Sequence, residues 1–176
     1  MMNVGVSNKC NGCMACVSVC PQKCITIHDE LDVLNIEVEE TKCINCQLCR
    51  KVCPNISRTT KERPIEWRQG WADERIRADS TSGGAASAII KSFINEGGYV
   101  AACLFKDGEF VFDITNDEEY SKKFSGSKYV KSNPEGIYSK VKKQLKTSKV
   151  LFIGLPCQVA ALKNYVKERD NLYTID

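Results

Sequence analysis

One run of cysteines occurs twice, and it constrains the first third of the chain more than any other feature. Cys10-x2-Cys13-x2-Cys16-x3-Cys20-Pro21 is matched, 33 residues on, by Cys43-x2-Cys46-x2-Cys49-x3-Cys53-Pro54. Lys9 and Lys42 precede the first cysteine of each run, and Val19 and Val52 precede the fourth. Nine of the eleven cysteines in the 176 residues lie at or before Cys53. A small secreted protein can use that many in disulfides, but no basic stretch followed by an apolar one opens this sequence, so no secretory signal is visible. The expected compartment is therefore the cytoplasm, where clustered thiols point to metal.

The spacing is specific about which metal group. Three thiolates on one tight loop can cap three corners of an iron–sulfur cube, and the fourth corner needs a ligand from elsewhere. C-x2-C-x2-C-x3-C-P is the bacterial ferredoxin run, in which the fourth cysteine serves the other cluster of a pair. This assigns Cys10, Cys13, Cys16 and Cys53 to one 4Fe-4S cluster, and Cys43, Cys46, Cys49 and Cys20 to a second. Zinc prefers four tetrahedral ligands, usually as two separated C-x-x-C knuckles. Disulfides between neighbours in so short a loop leave odd partners. Asn11-Gly12 and Asn45 are expected to take left-handed conformations within the loops, with backbone N–H groups near sulfur. The proline after each fourth cysteine is expected to end the turn and start a short helix or strand.

Between the runs, Ile25-Thr26-Ile27 and Leu34-Asn35-Ile36-Glu37-Val38 alternate apolar and polar residues around Asp29-Glu30, which predicts an antiparallel hairpin. Cys24 lies outside both runs and reads as a small buried thiol near a cluster. His28, the only histidine, reads as a surface residue on a hairpin end. The polar stretch from Ser57 to Arg63, before Pro64, reads as a linker. The expected domains are 1–62, ferredoxin-type, and 63–176, an α/β unit, giving an α+β chain overall.

In the second unit, Ile65 to Trp71 reads as a strand and Ala85 to Asn95 as a helix closed by Gly97-Gly98. Tyr99 to Phe105 and Glu109 to Ile114 read as paired strands. Asp117 to Phe124, Pro134 to Lys146 and Cys157 to Lys167 read as helices, with a buried strand from Val150 to Gly154. Such alternation argues an α/β layer. Ser80-Thr81-Ser82-Gly83-Gly84 opens a helix, where free N–H groups and hydroxyls suit a phosphate, or act as a plain N-cap. Gly126-Ser127-Lys128-Tyr129 offers a hydroxyl, an ammonium and a ring to a flavin or nucleotide, or forms an ordinary turn. Gly154-Leu155-Pro156-Cys157-Gln158 runs from a strand into a helix through a cysteine, a position that favours thiolate; a buried structural thiol is the plain alternative. Cys103, inside an apolar strand, reads as core.

Taken together, the double ferredoxin run, Arg77-x2-Ser80-Thr81-Ser82-Gly83-Gly84, Gly126-Ser127-Lys128-Tyr129-Val130-x-Ser132 and Gly154-Leu155-Pro156-Cys157-Gln158-Val159-Ala160-Ala161-Leu162 resemble the beta-subunit family of coenzyme F-420 hydrogenases and dehydrogenases. The resemblance covers essentially the whole chain. It implies an iron–sulfur flavoprotein oxidoreductase subunit, or a fragment of one, that carries FAD and passes electrons between a deazaflavin coenzyme and iron–sulfur clusters. It implies a cofactor site at Thr81, Ser82, Gly83, Gly84, Ser127, Lys128 and Tyr129. It also implies that Cys157 is one ligand of a third cluster whose other ligands fall beyond Asp176, as in an amino-terminal portion of the family. Leu155 departs from the small polar residue usual there.

The remaining composition is permissive. With 43% hydrophobic and 27% charged residues the chain can bury a core, and no apolar stretch approaches a membrane span. A net charge of +3 gives no argument for nucleic acid. The expected partners are a redox protein or subunit and a flavin or deazaflavin coenzyme. The alternative is a non-catalytic electron carrier, with the α/β unit as a docking platform.

Overall fold

The computed structural model describes residues 10–29, 34–57, 63–167 and 169–176. Glu30 of the expected hairpin turn, residues 58–62 of the expected linker and the domain boundary at 62/63 lie outside these residues.

The repeat in sequence is a repeat in backbone. Gly12 and Met14 in the first run, and Asn45 and Gln47 in the second, all have positive φ, so each loop coils at equivalent positions. Gly12 meets its conformation without strain, and a Cβ there would lie 2.9 Å from the Leu34 carbonyl oxygen. Each loop ends in a five-residue helix, α1 (Ala15–Val19) and α2 (Leu48–Val52). Pro21 and Pro54 lie in turns, not at the start of a helix or strand as expected; the helical turn precedes each fourth cysteine. Strands β1 (Ile25–Asp29) and β2 (Leu34–Val38) pair antiparallel in the expected hairpin, Ile27 opposite Ile36. His28 is exposed.

The second half builds a four-stranded sheet in the order β4-β3-β5-β6. Strands β3 (Tyr99–Lys106) and β4 (Glu109–Thr115) form an antiparallel hairpin, while β5 (Val150–Ile153) and β6 (Leu172–Ile175) extend it in parallel. Helix α3 (Glu74–Ala78) is capped by the Asp73 carboxylate, which accepts from the Arg75 and Ile76 N–H groups. Helix α4 (Ala85–Asn95) packs on one face of the sheet, where Ile90 and Phe124 meet Val100, Ala102, Leu104 and Leu151. Helix α5 (Glu118–Ser121) runs into a 3-10 turn that ends at Phe124. Helices α6 (Ile137–Gln144) and α7 (Pro156–Val166) cover the other face. Each parallel connection thus crosses over through a helix, as parallel strands require.

Ile65 to Trp71 is not a strand. Those residues have no strand partner, and Ile65, Trp67 and Trp71 are exposed. Alternation alone does not make a strand without a neighbour to receive its N–H and C=O groups.

The two halves share a core. Cys13, Ala15 and Val52 pack with Ile137, Tyr138, Phe152, Val159 and Leu162. Burying side chains such as Tyr138 and Phe152 contributes on the order of 2–3 kcal/mol each. Polar bonds fix the register: the Tyr138 hydroxyl donates to the Cys13 carbonyl at 2.5 Å. Asn164 Nδ2 donates to the Ser57 carbonyl at 2.8 Å. Among the described residues, no helix is long and apolar enough to cross a membrane.

Candidate metal centres and an adjoining cavity

The crossed pairing read from the sequence corresponds to two separate clefts. Cys10, Cys13, Cys16 and Cys53 line one, with Met14, Ile36, Pro54 and Ile56 as apolar wall. Cys20, Cys43, Cys46 and Cys49 line the other, with Ile25, Val38, Ile44 and Leu48. Each fourth cysteine is delivered by the turn after the other run's helix, which is why the two runs must fold together. Backbone N–H groups point at sulfur: Ala15 at Cys13, Val17 at Cys16, Gln22, Lys23 and Cys24 at Cys20, and Arg50 at Cys49. Such donors stabilise negative charge on thiolate ligands.

Among the described residues, no three Cys, His, Asp or Glu side chains converge tightly enough for one metal ion. Thiolates around a single zinc stand about 3.8 Å apart, as Zn–S bonds of about 2.3 Å in a tetrahedron require. Four thiols of the two runs line each cleft, the number that a four-iron cluster takes. Burial pushes the Cys13 and Cys16 thiols up to about 12 and raises Cys49 as well. A positively charged metal core would offset that desolvation and favour the thiolates.

Cys24 is buried, as expected, in the second cleft beside the four thiols. Its Sγ lies 3.4 Å from Cys20 Sγ, and burial raises its thiol to about 11.

A much larger cavity, about 550 Å³, opens outside the carboxyl ends of β5 and β6. That is where open α/β sheets receive ligands, and the volume suits an organic cofactor. Three segments remote in sequence meet there: 80–87, 124–128 and 153–155, with Cys103, Ser132 and Gln158. The Ser125 hydroxyl donates to the Asp79 carbonyl at 3.1 Å, tying the first two loops together. Gly84, the N-cap of α4, has φ 73 and leaves the helix without a side-chain cap. A Cβ at Gly84 would lie 3.1 Å from Ala72 Cβ and 3.3 Å from Ser80 Oγ. Lys128 Nζ donates to the Phe124 and Ser125 carbonyls at 2.6 and 2.8 Å, and burial lowers its pKa. Buried Gln158 closes one wall: its Oε1 accepts from the Leu155 N–H at 2.9 Å and its Nε2 donates to Ser132 Oγ at 3.3 Å.

Thr81, Ser82, Gly83, Gly84, Ser127 and Lys128 all line this cavity; Tyr129 does not, being 94% exposed with its ring toward solvent. Cys103 is half-buried, packs against the shared core as expected, and also lines the cavity. Gln158 from the first turn of α7, Ser132 from the loop before α6 and Phe112 from the middle of β4 also line the cavity; no local pattern in the sequence marks them for it.

Cys157 lies on the opposite side of the α7 N-terminus. It packs against the shared core and is electrostatically coupled to Cys10 and Cys13, and burial raises its thiol. Residues 155–158 therefore form a partition: Leu155 and Gln158 line the cavity, and Cys157 packs against the core that Cys13 shares.

Residues 9–56 match the family described as the 4Fe-4S dicluster domain. No curated protein matches the chain. The amino-terminal segment is a ferredoxin-type domain, and the chemistry that goes with it is iron–sulfur electron transfer.

Proposed function

We propose that the chain moves electrons between a flavin cofactor in the 550 Å³ cavity and two 4Fe-4S clusters, as part of an oxidoreductase resembling coenzyme F-420 hydrogenase and dehydrogenase beta subunits. The observation that carries this reading is the partition formed by residues 155–158, with a cofactor-sized cavity on one side and, on the other, the core to which Cys13 of the first thiol cleft belongs. A bound flavin would supply two-electron acceptance from a hydride donor and one-electron release, and each cluster one-electron transfer.

The chain's own residues have simpler tasks. Cys10, Cys13, Cys16 and Cys53 hold the inner cluster, and Cys20, Cys43, Cys46 and Cys49 the outer one. The Thr81–Gly84 loop and the uncapped N-terminus of α4 receive phosphate oxygens, and Lys128 adds a positive charge that its two carbonyl partners aim. Gln158 and Ser132 hold the partition in place. The outer cleft opens to the surface: Cys46 is exposed, between exposed Ile44 and Leu48. That apolar rim suits a redox partner protein, and electrons exchange there.

Anaerobic titration of the purified chain with FAD, read by Trp71 fluorescence, tests the reading, because Trp71 Cβ lies 3.6 Å from the Gly83 Cβ position. Saturable quenching with one flavin per chain is expected. Gly84→Val should abolish it with the iron content unchanged. Iron without flavin binding would leave the carrier-and-docking alternative.

A further inference from the structure

The repeat is broken at one chemically informative place. Four residues after Cys20 stands Cys24; four residues after Cys53, at the equivalent position, stands Ser57. Ser57 is engaged elsewhere, its hydroxyl donating to the Arg50 carbonyl at 3.2 Å. Cys24 instead points its sulfur at Cys20, with the two Sγ atoms 3.4 Å apart. Both line the second cleft with Cys43, Cys46 and Cys49. The turn between them is already closed, with the Lys23 N–H donating to the Cys20 carbonyl at 3.2 Å and Lys23 at φ 50. The Glu39 N–H bond to the Cys24 carbonyl at 2.8 Å anchors that end on the hairpin. Two thiols held this close by backbone bonds meet with little further movement.

We propose that Cys20 and Cys24 form a disulfide when the second cluster is absent, making this pair a redox switch that decides whether the outer site accepts a cluster. The proposal rests on the reading that Cys20 is a ligand of that cluster. The oxidant is a low-molecular-weight disulfide such as oxidised glutathione. The half-buried Cys20 thiolate attacks one of its sulfurs, the glutathione S–S bond breaks, and one glutathione thiolate leaves. Cys24 then gives its proton to solvent and attacks Cys20 Sγ, the mixed disulfide breaks, and the second glutathione leaves. Two cysteine thiols are oxidised and one glutathione disulfide is reduced. The oxidised turn has no Cys20 thiolate to offer a cluster until a dithiol reduces it. Ser57 gives the inner site no such bridge, so only the outer, surface-facing site carries the switch. Transient disulfides of this kind are how thiols in reducing compartments sense redox state.

The test begins with the full chain purified without oxygen, its iron counted, and its clusters then removed by chelation. The metal-free protein is treated with limiting oxidised glutathione and its disulfides mapped by mass spectrometry of unreduced peptides. The first bridge is expected at Cys20–Cys24. Iron and sulfide added without reductant should then restore about half the original iron, and added with dithiothreitol all of it, as one of two four-iron sites requires. Cys24→Ser protein should hold full iron as purified and recover it without reductant. A first bridge at any other pair, or equal recovery with and without reductant in the wild type, overturns the switch. An anaerobic preparation with no iron at all would instead overturn the cluster reading beneath it.

Discussion

The two thiol clefts have the same spacing, the same left-handed backbone positions and the same short helix, yet different surroundings. Cys13 and Cys16 of the inner cleft are buried, and Cys13 belongs to the core shared with α6 and α7. At the equivalent positions of the outer cleft, Cys46 is exposed and Cys49 half-buried. A motif fixes which thiols can reach a cluster, but what packs against the motif fixes how dry and how protected that cluster is. Burial and hydrogen bonds to sulfur are the levers by which protein sets cluster potential. The inner cleft is packed into the molecule, and the outer one opens to its surface.

The sharpest way to break this comparison is to remove one thiol from each cleft. Cys13→Ser and Cys46→Ser should each lose about half the iron of a two-cluster protein. Only Cys13→Ser should also lower stability, by on the order of 3 kcal/mol, because it disturbs the shared core. Thermal unfolding with parallel iron assays checks both, and equal destabilisation would mean that the clefts are alike. A chelator should remove iron in two phases of equal amplitude, the fast phase disappearing in Cys46→Ser. A single phase followed at the absorbance of the clusters would contradict the difference in protection.

A smaller effect is expected from Tyr138→Phe, which deletes the hydroxyl donated to the Cys13 carbonyl and leaves that buried acceptor unpaired. A loss of about 1 kcal/mol and faster bleaching in air of the inner site alone would show that α6 supports it. The smallest concerns Asp113, on the sheet edge away from both clefts. Burial pushes its carboxyl up, but the Ile114 N–H, the Tyr120 hydroxyl and the Lys140 ammonium outweigh that and hold it below its ordinary 3.8. The native group releases its proton more readily than the unfolded one, so its stabilisation is present above pH 3.8 and is lost as the pH falls through the lower native value. The urea midpoints of wild type and Asp113→Asn should therefore differ at neutral pH and converge in acid.

Much of this architecture is written in local pattern. The hairpin from Ile25 to Val38, the paired strands from Tyr99 to Thr115 and helix α4 follow from alternation, apolar spacing and glycine stops. The eight thiols separate into two clefts by chain order alone. Other features depend on neighbours remote in sequence. Five-residue helices such as α1 and α2 are too short to show a period, and β6 is a strand only because β5 lies beside it. Ile65 to Trp71 has the alternation of a strand without a partner. Tyr129 belongs to a cavity-facing segment but turns its ring to solvent, whereas Cys103 sits mid-strand and faces the cavity. Neither direction can be read without knowing which remote segments pack beside the residue.

The most direct test of two unequal four-iron sites is a single anaerobic preparation assayed for iron and acid-labile sulfide and titrated reductively while the paramagnetic signals are followed. The account predicts about eight irons and eight sulfides per chain, with two one-electron steps at distinct potentials. Only the site lost first to chelator should disappear in Cys46→Ser. An iron-free anaerobic preparation, or one four-iron signal that Cys13→Ser and Cys46→Ser abolish together, would contradict it.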